Sequence, residues 1–172
     1  MLLDIHQYLD DTFGSSYVSL RDVERFRTIY EFFNSKLPMN AHKNTATYIG
    51  YDNRSERALI MTFIFCYTLR IESDTIKRRL YSMIEGGLNL PLNFVTVVKG
   101  VEETDFFHRL RIDYGSIAAN SAIKENIYCF FVAIYNKLPM IIVGPPGCSK
   151  SLAIRILTEN MKGYNSEDKY LR

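Results

Sequence analysis

Residues 140–157 read Met140-Ile141-Ile142-Val143, then Gly144-Pro145-Pro146-Gly147-Cys148-Ser149-Lys150-Ser151, then Leu152-Ala153-Ile154-Arg155-Ile156-Leu157. The first four residues have the character of a fully buried parallel strand, and the last six have helix-forming composition. Between them stands an octapeptide that opens on glycine and ends in Lys-Ser. Set against the phosphate-binding pattern G-x-x-x-x-G-K-[ST], it agrees at every fixed position except 149, where serine stands for glycine.

The chemistry explains why those residue types are needed. Consecutive backbone N–H groups must curl around phosphate oxygens and lead into a helix N-terminus, whose free donors and dipole favour an anion. Gly144 and Gly147 allow the tight turn and the close approach. Lys150 supplies a cation to the β- and γ-phosphates, and the Ser151 hydroxyl is placed to ligate Mg²⁺. At 149 a side chain narrows the allowed backbone angles and adds a hydroxyl near the phosphates. On the pattern alone the match fails. The strand–loop–helix order around it is the context that a P-loop requires, against the blander alternative of a Gly-Pro turn between a strand and a helix. Cys148 sits at the same helix N-terminus beside a lysine, which suits an oxidisable thiol. A small residue that merely fits the loop is the simpler reading, and it is preferred.

Working outward, Pro139 ends a helix that the pattern places from about Asn120 to Asn136, with Ile123, Ile127, Phe131, Ile134 and Leu138 along one side. Leu88–Tyr114 resists assignment. Phe94–Val98 is β-branched and apolar, yet Pro91 ahead of it suits the opening of a helix. The N-terminal half reads as a small helical bundle. Ser19-Leu20-Arg21-Asp22 has the form of a capping box. Leu20, Val23, Phe26, Tyr30 and Phe33 follow at helical spacing, and Asn34–Asn40, with Pro38, closes that helix. Ala41–Asn53 is a polar loop. Ser55 caps a helix to about Arg70, and a further helix from Ser73 or Asp74 stops at Gly86-Gly87.

The whole chain has 172 residues, 21 basic and 19 acidic, for a formal net charge of +2. That balance gives no reason to expect nucleic acid or an anionic membrane as the main partner. The densest basic run, Lys77-Arg78-Arg79, reads as a solvated helix face. Cys66, Cys129 and Cys148 form no C-x-x-C pair, and His6, His42 and His108 do not stand at ligand spacing to them, which argues against zinc or a disulfide framework. A reducing cytosolic or nuclear compartment fits best. The N-terminus is no secretory signal. The most apolar stretch, Ala58–Leu69, is well short of the ~20 residues a membrane span needs and reads as a core helix.

GPPGCSKSLA resembles the AAA+ module of the mysterin family, giant cytosolic proteins that join a dynein-like row of AAA+ modules to a RING-bearing ubiquitin-ligase region. In that family serine precedes the P-loop lysine, so the departure at Ser149 becomes a likeness. Asn120–Asn126, NSAIKEN, is similar to the helix just upstream of that P-loop, and Tyr17–Phe26, YVSLRDVERF, resembles the lid-helix motif that closes the preceding module. The three motifs span most of the chain, although Ala41–Leu110 aligns only in character. Ser149 together with NSAIKEN favours mysterin over a dynein-, midasin- or MoxR-like AAA+ module. A non-enzymatic helical interaction module with a vestigial P-loop is the remaining alternative.

The resemblance implies a mainly α fold, with a helical AAA+ lid bundle followed by the first strand–P-loop–helix of an incomplete α/β P-loop NTPase domain. Residues 1–90 would be the lid of one module, 91–118 a linker, and 119–172 the start of the next. Arg21, or alternatively Arg25, would contact the γ-phosphate held by the lid's own module. ATP with Mg²⁺ would be the cofactor, bound by Gly144 to Ser151. Other modules of an AAA+ ring would be partners, with ubiquitin machinery reached only through regions not in this sequence, and the compartment would be the cytoplasm. No run of four apolar residues followed by Asp-Glu occurs, so the expected acid for Mg²⁺ and water is absent, and the cysteines are too few for a RING. The expectation is a partial product of an ATPase and ubiquitin ligase, inactive alone.

Overall fold

The computed structural model describes residues 1–37, 53–89, 94–112, 120–166 and 168–172. The described residues hold α1 (Leu2–Phe13), α2 (Leu20–Lys36), α3 (Arg54–Cys66), α4 (Asp74–Leu88), α5 (Phe94–Asp105), α6 (Ser121–Tyr135) and α7 (Lys150–Asn160), with short 3₁₀ turns and no strand. They fall into two compact units, Met1–Asp105 and Phe106–Arg172.

The first unit is built on α3. Its sequence is apolar almost all round, and Ala58, Ile60, Met61, Phe63, Ile64 and Cys66 are all buried. A helix of that kind must be surrounded, and α2 and α5 pack against it. Phe26 of α2 meets Phe63 of α3 edge to face, with ring centroids 4.8 Å apart. Each such fully buried ring contributes on the order of 1.5–3 kcal/mol of transfer free energy. The buried line of α2 is Phe26, Ile29 and Phe33. Leu20, expected on that line, is the first residue of the helix and is 83% exposed.

Caps decide the helix ends. At α2 the Asp22 carboxylate accepts from the Ser19 backbone N–H at 2.9 Å, as the capping-box pattern predicts, and the Ser19 hydroxyl donates to the same carboxylate at 3.0 Å. At α3 the cap is Asn53 rather than Ser55: its side chain accepts from the N–H groups of Ser55 and Glu56. Helix α4 runs through Gly86 and Gly87 and ends only at Asn89, which takes the left-handed conformation at φ 51°. Gly87 thus lies inside the helix and is no stop; a Cβ there would stand 2.2 Å from the Met1 sulfur, so the Met1 side chain would have to move. The uncertain stretch at Phe94 is helical, and α1 was not anticipated. The Ala41–Asn53 loop up to residue 52, Pro38 and Pro91 lie outside the described residues.

In the second unit α6 packs on α7. Ile123, Ile127, Phe131 and Val132 are buried on α6, and Ala153, Ile156 and Leu157 on α7. Ile134, expected on the buried side, is 55% exposed. Phe131 stands against Phe106 with centroids 4.5 Å apart and stacks on Tyr170 at 5.7 Å. Asn160 clamps the segment before α6. Its side chain accepts from Arg111 N–H at 2.8 Å and donates to Arg111 C=O at 3.1 Å.

Met140–Val143, read as a fully buried parallel strand, forms no ladder, and Ile141 and Val143 are 89% and 88% exposed. The reason is physical. Strand pairing needs a neighbour and parallel strands need cover on both faces, and the described residues offer no second strand.

Candidate nucleotide-binding loop

Helix α6 ends by a left-handed residue, Lys137 at φ 52°, and Pro139 follows. The chain then passes through Met140–Val143 into the loop. Gly147 has φ 84°, Ser149 has φ 61°, and Cys148 between them has negative φ. Alternation of sign at successive residues makes neighbouring N–H groups converge, the geometry of an anion-binding nest. The N–H groups of Gly147, Cys148 and Ser149 have no backbone acceptor among the described residues. The first turn of α7 adds donors that no intrahelical carbonyl can take.

Position 149 thus demands a left-handed residue, which explains why glycine is usual there. Ser149 occupies it at φ 61°, ψ 17° as the N-cap of α7, at a cost of roughly 1–2 kcal/mol relative to a right-handed conformation. Gly144 leaves room for two side chains of the loop. A Cβ there would stand 2.9 Å from the Cys148 sulfur and 3.7 Å from the Lys150 ammonium.

Lys150 folds back over the loop. Its ammonium donates to Gly144 C=O at 2.7 Å, to Pro145 C=O at 2.9 Å and to the Cys148 sulfur at 2.9 Å. All three of its hydrogens are therefore directed at the loop that it would share with a phosphate. Ser151 lies exposed in the first turn of α7, and Pro145 and Pro146 are exposed at the loop tip. The sequence pattern did not single out Asn126 of α6, whose side-chain amide donates to Cys148 C=O at 2.7 Å. The residues fit a nucleotide phosphate: converging donors, one cation and a backbone held tight by glycine.

The match to known families covers this unit. Residues 116–172 match the family described as the RNF213 AAA domain. These residues are an RNF213-type AAA+ segment. Over 159 residues the chain is 30% identical to mouse E3 ubiquitin-protein ligase RNF213, covering 86% of this chain and 3% of that protein. It is 30% identical to the human protein of the same name over 162 residues, and 26% identical to zebrafish E3 ubiquitin-protein ligase rnf213-beta over 152 residues, with 86% of this chain and 3% of the relative covered in each case. The chain thus spans about 3% of the length of these curated relatives. No solved structure matches. The mysterin-type likeness drawn from the three motifs is borne out by these RNF213-type relatives.

The RNF213 likeness extends beyond the loop, since 86% of the chain is more than the second unit holds. In the first unit Arg21 is exposed at the start of α2, with no hydrogen bond or ion pair among the described residues. Arg25, one turn on, is drawn to Asp22 Oδ1 at 3.3 Å. The structure therefore leaves Arg21 available at the helix start and partly engages Arg25. No helix among the described residues is long and apolar enough to cross a membrane.

Proposed function

We propose that this chain is a nucleotide-binding segment of an RNF213-like AAA+ ATPase and ubiquitin ligase. Residues 1–90 would form the helical lid of one module and 119–172 the opening of the next, with 91–118 the linker between them, whose helix α5 packs on α3. The observation that carries the reading is the alternation of backbone sign through Gly147, Cys148 and Ser149 into α7, with Lys150 turned over the same loop. Backbone N–H groups from Gly147 to Ser151 would hold the phosphates, Lys150 would neutralise them, and Ser151 would ligate the Mg²⁺ they carry. When bound, Mg²⁺-ATP would supply the γ-phosphoryl group that a complete module transfers to water, with ADP as the leaving group. In the lid, Arg21 would reach the nucleotide of its own module, with Arg25 as the alternative. Ubiquitin transfer would belong to other regions of the parent, and the compartment would be the cytoplasm.

Binding without turnover is the expected behaviour of the 172-residue chain. Turnover needs an acid that holds Mg²⁺ and a group that orients water, and the sequence has no apolar run ending in Asp-Glu. The test is calorimetric titration with Mg²⁺-ATP and phosphate release, using Lys150→Ala as control. Weak binding that the substitution removes, without phosphate release, supports the proposal. Binding that survives it overturns the P-loop reading, and no binding at all favours an interaction module with a vestigial loop.

A further inference from the structure

We propose that Asn126 is a positioning residue for the phosphate loop, holding the Cys148–Ser149 peptide so that Ser149 can occupy its left-handed conformation with its N–H directed away from α6. The inference rests on the nucleotide-binding reading and names a residue outside the loop on which that site depends.

The geometry comes from one bond. Asn126 Nδ2 donates to Cys148 C=O at 2.7 Å. A trans peptide is planar, with its carbonyl and its N–H antiparallel. Fixing the Cys148 carbonyl on the α6 side therefore fixes the Ser149 N–H on the opposite side. This is the peptide that separates negative φ at Cys148 from φ 61° at Ser149. If it flips, Ser149 leaves the left-handed region and the alternation that gathers the N–H groups is lost.

Ser149 makes the bond matter. Glycine at 149 would take positive φ at no steric cost, whereas serine is disfavoured there. A serine in this position needs an external contact to over-determine it, and the described contact that reaches this peptide from outside the loop is the one from Asn126. Asn126 itself is well anchored. It lies on α6 between buried Ile123 and Ile127, in a helix capped by Asn120, whose side chain accepts from Ile123 N–H at 2.9 Å. The serine at 149 and the asparagine at 126 thus form a coupled pair.

The coupling gives a test that packing alone would not pass. Asn126→Leu preserves volume and removes the donor. The 172-residue chain, Asn126→Leu, Ser149→Gly and the double variant are titrated with Mg²⁺ and a fluorescent ADP analogue. Melting temperatures are measured in parallel, with Asn126→Asp as a second substitution should Leu fail to fold. Asn126→Leu is expected to weaken binding roughly five- to tenfold, the scale of one neutral hydrogen bond, and to do so less than twofold when glycine stands at 149. Equal losses in both backgrounds, or no loss, would overturn the proposal. The ligand-free chain keeps the two hypotheses apart. Amide and carbonyl resonances of Cys148 and Ser149 should move in Asn126→Leu even if the wild-type chain binds no nucleotide, in which case only the nucleotide reading fails. Unmoved resonances reject the role of Asn126 whatever the titration shows.

Discussion

Arg70 donates to Asp22 Oδ1 at 2.9 Å, tying the turn after α3 to the start of α2. The same carboxylate takes Ser19 N–H and hydroxyl and Arg25. Burial pushes the Asp22 carboxyl up, yet the Ser19 bonds and the Arg70 charge outweigh it and hold it below its ordinary 3.8. A carboxyl that is more acidic when folded stabilises the fold above its unfolded value, and that contribution is lost as pH falls through the folded value. Stability of the first unit should therefore fall below about pH 4. Asp22→Asn should flatten that acid limb and cost about 1–2 kcal/mol at neutral pH, measured by urea unfolding across pH.

Arg21, the neighbour of Asp22, should behave in the opposite way. It is exposed at the start of α2, and surface substitutions of this kind usually fall within about 0.5 kcal/mol. Arg21→Ala should leave the unfolding midpoint of this chain unchanged while lowering ATP turnover in the intact parent. Unfolding of the chain on this change would assign the arginine a structural role instead.

Much of the first unit was legible in the sequence because its signals are local. The Ser19–Asp22 capping box and the apolar spacing through Phe26 and Phe33 depend on neighbours within a turn or two. What escaped reading depends on contacts distant in sequence. Gly87 looked like a stop, yet α4 runs through it to Leu88, and nothing local shows that Met1 lies against it. Helix α5 was ambiguous because β-branched Val95, Val97 and Val98 suit a strand, and burial of Phe94, Val97 and Val101 at helical spacing decided otherwise. In the loop, glycine, lysine and serine positions were readable from chemistry. The role of Asn126 was not, because it acts on a residue 22 positions away.

Arg57 and Asp105 pair with both side chains fully buried. This joins α3 to α5 within the first unit. Removing one partner strands a buried charge, so Asp105→Ala should destabilise by about 3–5 kcal/mol. Replacing both, as Arg57→Met with Asp105→Leu, should recover most of that loss in the same denaturant assay. A single variant as stable as wild type would show that the pair is not desolvated in solution.

Thiol chemistry should divide the cysteines. Burial pushes both the Cys66 and the Cys129 thiols up to about 12, so neither ionises near neutrality. Cys148 is part-exposed, with the Lys150 ammonium at its sulfur. Alkylation at neutral pH followed by peptide mapping should label Cys148 first, and Mg²⁺-ATP should slow that labelling.

The central claim is that the loop of Gly147 to Ser151 binds a nucleotide phosphate, and a site-resolved titration tests it most directly. Amide resonances of the ¹⁵N-labelled chain are followed as Mg²⁺-ATP is added. The largest shifts should fall at Gly147, Cys148, Ser149, Lys150 and Ser151, with Asn126 side-chain resonances following and Lys150→Ala abolishing the response. Shifts that spare these residues, or that persist in Lys150→Ala, would contradict the account.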